Sequence, residues 1–272
     1  MKACIDKKFI VILGILTLLS ITNIACTKAN NNIAAMATDT TATDNTNDDK
    51  LQGKSHSFLQ FKKDTLKPKP PAGDTPRLYL ALGDSYTIGQ SVPLDESFPA
   101  QTVAVLKNDG INLGEPQYIA TTGWSTIALQ NAIGQQNPKG PYEAVTLLIG
   151  VNDQYQHLPV TEYPTRFSQL LQKAIQLAGN RISRVFVLSI PDYSVTPFGG
   201  GDTTIRNQIN EYNAINKQIT LANNIAYIDI TPISRLAAED PTLTANDGLH
   251  PSGKQYALWV EQLAPVMEKA LK

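Results

Sequence analysis

A chain of 272 residues with 42% apolar and 17% charged side chains has the make-up of a globular protein, long enough for one large domain or two small ones. Its formal net charge of −1 excludes the basic footprint that a nucleic-acid-binding face requires. The only two cysteines, Cys4 and Cys26, provide no disulfide framework.

The first 25 residues read as a targeting segment. Lys2, Lys7 and Lys8 precede a largely apolar run over 9–24 that ends in Ala25-Cys26, the pattern of a secretory signal. The run is too short and too close to the N-terminus to favour a transmembrane helix. A small residue directly before a cysteine also resembles a bacterial lipoprotein signal, in which that cysteine is lipidated and becomes the mature N-terminus. Asn23 departs from that pattern, where Leu is usual. The expectation is export to the cell envelope with Cys26 lipidated and the chain held to a membrane by its lipid anchor, since two acyl chains give stable anchoring. Secretion or a periplasmic location without the lipid is the alternative.

Residues 26–76 change character sharply. Asn, Thr, Asp, Ala and Lys dominate as far as Lys50, and such a stretch buries too little surface to offset its ordering entropy. It reads as a disordered tether, stiffer near Lys67-Pro68-Lys69-Pro70-Pro71.

Over 77–272 short apolar runs alternate with helical patterns. The strand candidates are 78–82, 117–120, 145–149, 185–190 and 226–230. They show little alternation, as expected of parallel strands covered on both faces. Helices are expected over 161–178, with Tyr163, Phe167, Leu170, Leu171, Ala174 and Ala178 on one stripe, and over 203–223, with Ile205, Ile209, Tyr212, Ile215 or Ile219, and Ala222. A last helix over 252–272 should be kinked or broken at Pro265. Repeated β-α units with short loops give an α/β fold, a three-layer αβα sandwich on a five-stranded parallel sheet.

Chemistry begins at Leu82-Gly83-Asp84-Ser85-Tyr86-Thr87, just past the first strand, where open α/β sheets place their ligands. Alone, Gly-Asp-Ser is as well read as a plain turn. A serine hydrolase also needs a base and a carboxylate that fixes its tautomer. The chain has three histidines: His56 in the tether, His157 after the third strand, and His250 in Asn246-Asp247-Gly248-Leu249-His250-Pro251. Asp247 and His250 could meet by folding back, or Asp247 and Ser252 could merely cap a turn and a helix. Donors for an oxyanion could come from Gly123 in Thr122-Gly123-Trp124-Ser125 and from Asn152 in Gly150-Val151-Asn152-Asp153. A strand-ending turn at Gly123 and an Asx turn at Asn152 are the structural alternatives.

Together the four blocks, Gly-Asp-Ser-Tyr, Thr-Gly-Trp, Gly-Val-Asn-Asp and Asp-Gly-Leu-His, closely resemble those of the SGNH (GDSL) hydrolase family, from about Leu78 to about Leu263. The resemblance implies a flavodoxin-like sandwich and serine-based ester hydrolysis with no metal or organic cofactor. It implies Ser85 as nucleophile, His250 as general base and Asp247 as its orienting partner. The oxyanion hole would comprise Gly123, Asn152 and the backbone N–H of Ser85. Tyr86 stands where many members have Leu, and Asp84 should hold the nucleophile loop rather than react.

Two other hydrolase designs fit poorly. Gly123-Trp124-Ser125 starts a Gly-x-Ser-x-Gly elbow, but residue 127 is Ile. Asp153 and His157 could pair across a helical turn, and a pair alone does not make a metal site. The expected partner is a small-molecule, lipid or glycan ester, bound by a monomer. Its acyl preference separates a lysophospholipase-like or general acyl esterase from a carbohydrate O-acetylesterase. A catalytically silent, surface-binding lipoprotein is the reading from another class. Tyr86, Trp124, Tyr155, Tyr193 and Phe198 are candidates for the pocket wall, and the stretch 190–201 is either a lid or a simple connection.

Overall fold

The computed structural model describes residues 75–272. The readings of residues 1–74, including the signal, the lipidated Cys26, the tether and His56, lie outside the described residues. No helix among the described residues is long and apolar enough to cross a membrane.

Five parallel strands form one sheet: β1 (Tyr79–Gly83), β2 (Gln117–Ala120), β3 (Ala144–Leu148), β4 (Val185–Leu188) and β5 (Ala226–Ile228), in the order β2-β1-β3-β4-β5. Every residue of β1, β3 and β4 is buried, whereas the edge strands β2 and β5 are partly exposed. Apolar runs without alternation follow directly, because helices cover both faces of the central strands. On one side α2 (Phe98–Asn108) packs against α8 (Gly253–Leu271); α5 (Tyr163–Leu177) packs between α3 (Thr126–Gln136) and α6 (Thr203–Ala222). The described residues thus form the expected αβα sandwich.

Strand order reverses between β1 and β3, and open sheets bind ligands outside the carboxyl ends of the strands at such a switch point. Gly83 sits level with Ala120 of β2 and Leu148 of β3. The loops that follow these three residues therefore emerge from one edge of the sheet, side by side.

Several elements differ from the sequence-based expectation. β4 and β5 stop two residues early: the Ser189 N–H still donates to the Ile228 carbonyl (3.0 Å), but its hydroxyl, in place of a strand carbonyl, accepts the N–H groups of Ile230 (2.8 Å) and Thr231 (3.0 Å). The expected stripe of α5 is wholly buried. That of α6 is not: Ile209 and Tyr212 are buried, but Asn216 and Thr220 complete the inner face while Ala222 is exposed. Asn216 earns its place by accepting the Tyr227 hydroxyl at 2.7 Å. Helix α8 is not broken at Pro265, which lies inside it on the exposed side. The buried residues Trp259, Leu263, Met267 and Leu271 pin it on both sides of the proline, and the carbonyl that lost its partner belongs to exposed Glu261. Helices α2 and α3 were not foreseen; Pro99 in the first turn of one and Gly134 near the end of the other obscure their weak apolar pattern.

Candidate active site

At the end of β1 the chain must turn sharply against β3. A Cβ on Gly83 would lie 2.5 Å from the Leu148 carbonyl oxygen, so only glycine fits. Asp84 then caps the short helix α1 (Ser85–Ile88), one oxygen of its carboxyl group accepting the Tyr86 N–H at 3.0 Å. Asp84 is fully buried, its second oxygen has no partner among the described residues, and burial pushes its carboxyl up to about 8. It is a turn-holding group, as expected.

The turn delivers Ser85 to His250. Ser85 Oγ lies 2.9 Å from His250 Nε2, and His250 Nδ1 lies 2.6 Å from Asp247 Oδ2. The other Asp247 oxygen accepts the backbone N–H of Leu249 (2.9 Å) and of His250 (3.0 Å), through a turn in which Gly248 has φ 71°. Burial alone would raise the Asp247 carboxyl. Hydrogen bonds from Ser91, His250 and the two backbone groups outweigh it and hold the group well below the ordinary range. With a carboxylate on Nδ1, that nitrogen carries the proton, and Nε2 offers its lone pair to the serine hydroxyl.

Gly123 and Asn152 follow the neighbouring strands. Gly123 has φ 81°, and its carbonyl accepts the Gln156 side-chain amide at 2.8 Å, which fixes the peptide. Asn152 is in α4 (Val151–Tyr155), with its amide nitrogen donating to the Trp124 carbonyl at 3.1 Å. The helix starts at Gly150 with φ 129°, where a Cβ would press to 2.6 Å from the Tyr163 hydroxyl. Beside Asn152, buried Asp153 accepts the Thr126 N–H at 2.7 Å and pairs with Arg166 at 3.3 Å. Asp153 therefore braces α4 against α3 and α5 and does not join exposed His157.

Ser85, Gly123, Asn152 and His250 line one cavity of about 260 Å³. Its apolar wall is Tyr86, Val151, Tyr155, Tyr193, Phe198 and Leu249. Trp124 is the exception among the expected wall residues: it does not line the cavity and instead packs, half-buried, on the core. Val151 and Leu249 were overlooked although each adjoins a motif residue.

The segment 190–201 is tied down along its length. Asp192, buried, accepts Arg235 Nε at 2.8 Å and the Ser194 N–H at 3.0 Å. The Tyr193 hydroxyl donates to Gln154 at 2.8 Å, and the Phe198 N–H to the Gly248 carbonyl at 2.9 Å. Gly201 N–H returns to the Ser194 carbonyl at 2.8 Å. Of the two readings, a simple connection describes it better than a lid.

Residues 81–258 match the model of the GDSL-like lipase/acylhydrolase family, and the chain belongs to that family. It is an ester-bond hydrolase. Among solved structures it is similar to TesA (14% identity, TM-score 0.56, covering 71% of this chain and 99% of that one). It is similar also to the psychrotrophic esterase EstA from Pseudoalteromonas sp., solved inhibited by monoethylphosphonate (16%, TM-score 0.52, 71% and 97%). An acetyl xylan esterase from Geobacillus stearothermophilus matches at 18% identity and TM-score 0.53, over 70% of this chain and 94% of that one. At these identities the likeness is one of fold. No curated protein matches the chain significantly in sequence.

Proposed function

We propose that the protein hydrolyses carboxylic esters through an acyl-enzyme on Ser85. The observation that carries the reading is the relay from Ser85 Oγ through His250 to Asp247, at 2.9 and 2.6 Å, facing a cavity that Gly123 and Asn152 also line. His250 Nε2 takes the serine proton as Ser85 Oγ bonds to the ester carbonyl carbon. The oxyanion is held by the N–H groups of Ser85 and Gly123 and the Asn152 amide. The C–O bond to the alcohol breaks as His250 returns the proton to it, and a water activated by the same imidazole then releases the acid.

The apolar wall supports acyl chains longer than acetate, as in a general acyl or lysophospholipase-like esterase. A second, hydroxyl-rich groove of about 490 Å³, lined in part by Ser91, Thr242, Thr244 and Ser252, gives the O-acetylesterase reading its one foothold, as a place for a sugar alcohol. Rates on p-nitrophenyl esters from acetate to decanoate separate the two: a rise with chain length supports the first, activity on acetate alone the second. A fluorophosphonate probe should label the wild type and spare Ser85→Ala, and that substitution should lower kcat on the order of a millionfold. Unchanged turnover in the serine variant overturns the mechanism, whereas a wild type that takes no label and turns over no ester leaves the binding-lipoprotein reading standing.

The signal-like leader supports export and lipidation of Cys26. Loss of the protein from the membrane fraction in Cys26→Ser is the expected result; retention rules out the lipid.

A further inference from the structure

Asp247 accepts four hydrogen bonds, enough to fill the acceptor sites of a carboxylate. Three come from its own loop: the N–H groups of Leu249 and His250 on one oxygen, and His250 Nδ1 on the other. The fourth crosses the site. Ser91 Oγ donates at 2.6 Å to Oδ2, the oxygen that also faces the imidazole, from 156 positions away in the chain.

Ser91 belongs to the turn that ends α1, and that turn is fastened to Ser85. The N–H groups of Gly89 and Gln90 both donate to the Ser85 carbonyl, the second at 3.0 Å. Gln90 also accepts the hydroxyl of Thr122, the residue before Gly123, at 2.6 Å. Hydrogen bonds thus close a ring: Ser85 hydroxyl, His250, Asp247, Ser91, the turn, and the Ser85 carbonyl. Within that ring the Ser85–His250 bond must break and re-form during turnover, so the remaining members have to keep the two groups in register.

The backbone carries a second sign. Ser91 has φ 70°, a conformation that L-residues with a Cβ adopt at a cost and glycine does not. A strained residue that survives at a site where glycine would be easier calls for a role for its side chain.

We propose that Ser91 is a positioning residue that acts through Asp247, its hydroxyl setting the orientation of the carboxylate oxygen that holds His250 and so aligning the imidazole with Ser85. This rests on the Ser85–His250–Asp247 reading given above. The other titratable groups around the pair are Tyr86, whose ring centre is 5.2 Å from that of His250, Tyr256 from α8, and Asp84 behind Tyr86. Burial pushes both phenols up, so they stay neutral across the working range.

The test uses the rate of Ser85 phosphonylation by a fluorophosphonate as a function of pH, which needs no knowledge of the natural substrate. Ser91→Gly removes the hydroxyl and the strain together. The expected result is a rate lower by about tenfold, with Tm equal to or above wild type. Its acid limb should move to higher pH, because a carboxylate with one donor fewer presents more charge to the imidazolium. Ser91→Thr keeps the hydroxyl but puts a β-branched residue at positive φ, so it should hold the wild-type acid limb while Tm falls. A purely structural role would move rate and Tm together. A Ser91→Gly profile within twofold of wild type and unshifted overturns the proposal, provided Ser85→Ala remains unlabelled. A wild type that takes no label, or a Ser85→Ala protein labelled equally well, overturns the acyl-enzyme reading itself.

Discussion

Residues of the site divide by the kind of contact that holds them. Asn152 presents one amide, oriented by the Trp124 carbonyl, for the oxyanion role proposed above. Asn152→Ala should lower kcat on the order of a hundred- to a thousandfold with little change in KM, as expected for a donor used chiefly in the transition state; steady-state kinetics decide. Asp84 has a different signature. Its folded value of about 8 lies above the ordinary 3.8, so the folded state holds the proton more tightly than the unfolded chain. The stability that results is full below about pH 4 and is lost as pH rises through about 8. Thermal melts of wild type should therefore show Tm falling between about pH 4 and 8 and levelling off above. Asp84→Asn, which still offers an oxygen to the Tyr86 N–H, should flatten that fall. An equally steep fall in the variant would mean that another group carries it.

Elements bring these residues to a common edge, and the connections between strand and helix have little latitude. At Gly150 the positive φ and the Tyr163 ring beneath it act together. Gly150→Ala should cost upwards of about 1 kcal/mol and tilt α4, so that Tm and kcat fall together while an exposed substitution such as Gln135→Ala leaves Tm unchanged. The four blocks that meet at the cavity were legible in the sequence because each is a few contiguous residues at a strand end or in one loop. Asp247 and His250 meet three positions apart, so their contact is almost local. The α6 stripe was legible only in part for the opposite reason: its isoleucines pack on the core, but that Asn216 joins them depends on Tyr227 and Tyr163 on other elements.

At the scale of the whole molecule, the site stands on an aromatic layer between α1, α2 and α8. Trp259 is fully buried, edge-on to Tyr256 at 4.9 Å, with Phe98 at 6.2 Å and Tyr86 at 6.5 Å. Tyr86 also lines the cavity, and its carbonyl accepts the Tyr256 hydroxyl at 3.0 Å. Trp259→Ala should destabilise the fold by about 3–5 kcal/mol in denaturant titrations and loosen the cavity wall through Tyr86.

The sequence by itself determined the fold class, the family and the four blocks, because strand burial is written in apolar runs and each block is short and contiguous. Only the tertiary structure decided that Ser91 reaches Asp247, that Trp124 packs on the core instead of the cavity, that 190–201 is tied down, and that α8 passes Pro265 unbroken. Each of these turns on contacts between segments far apart in the chain, where the energy depends on which partner is present and no local pattern records it.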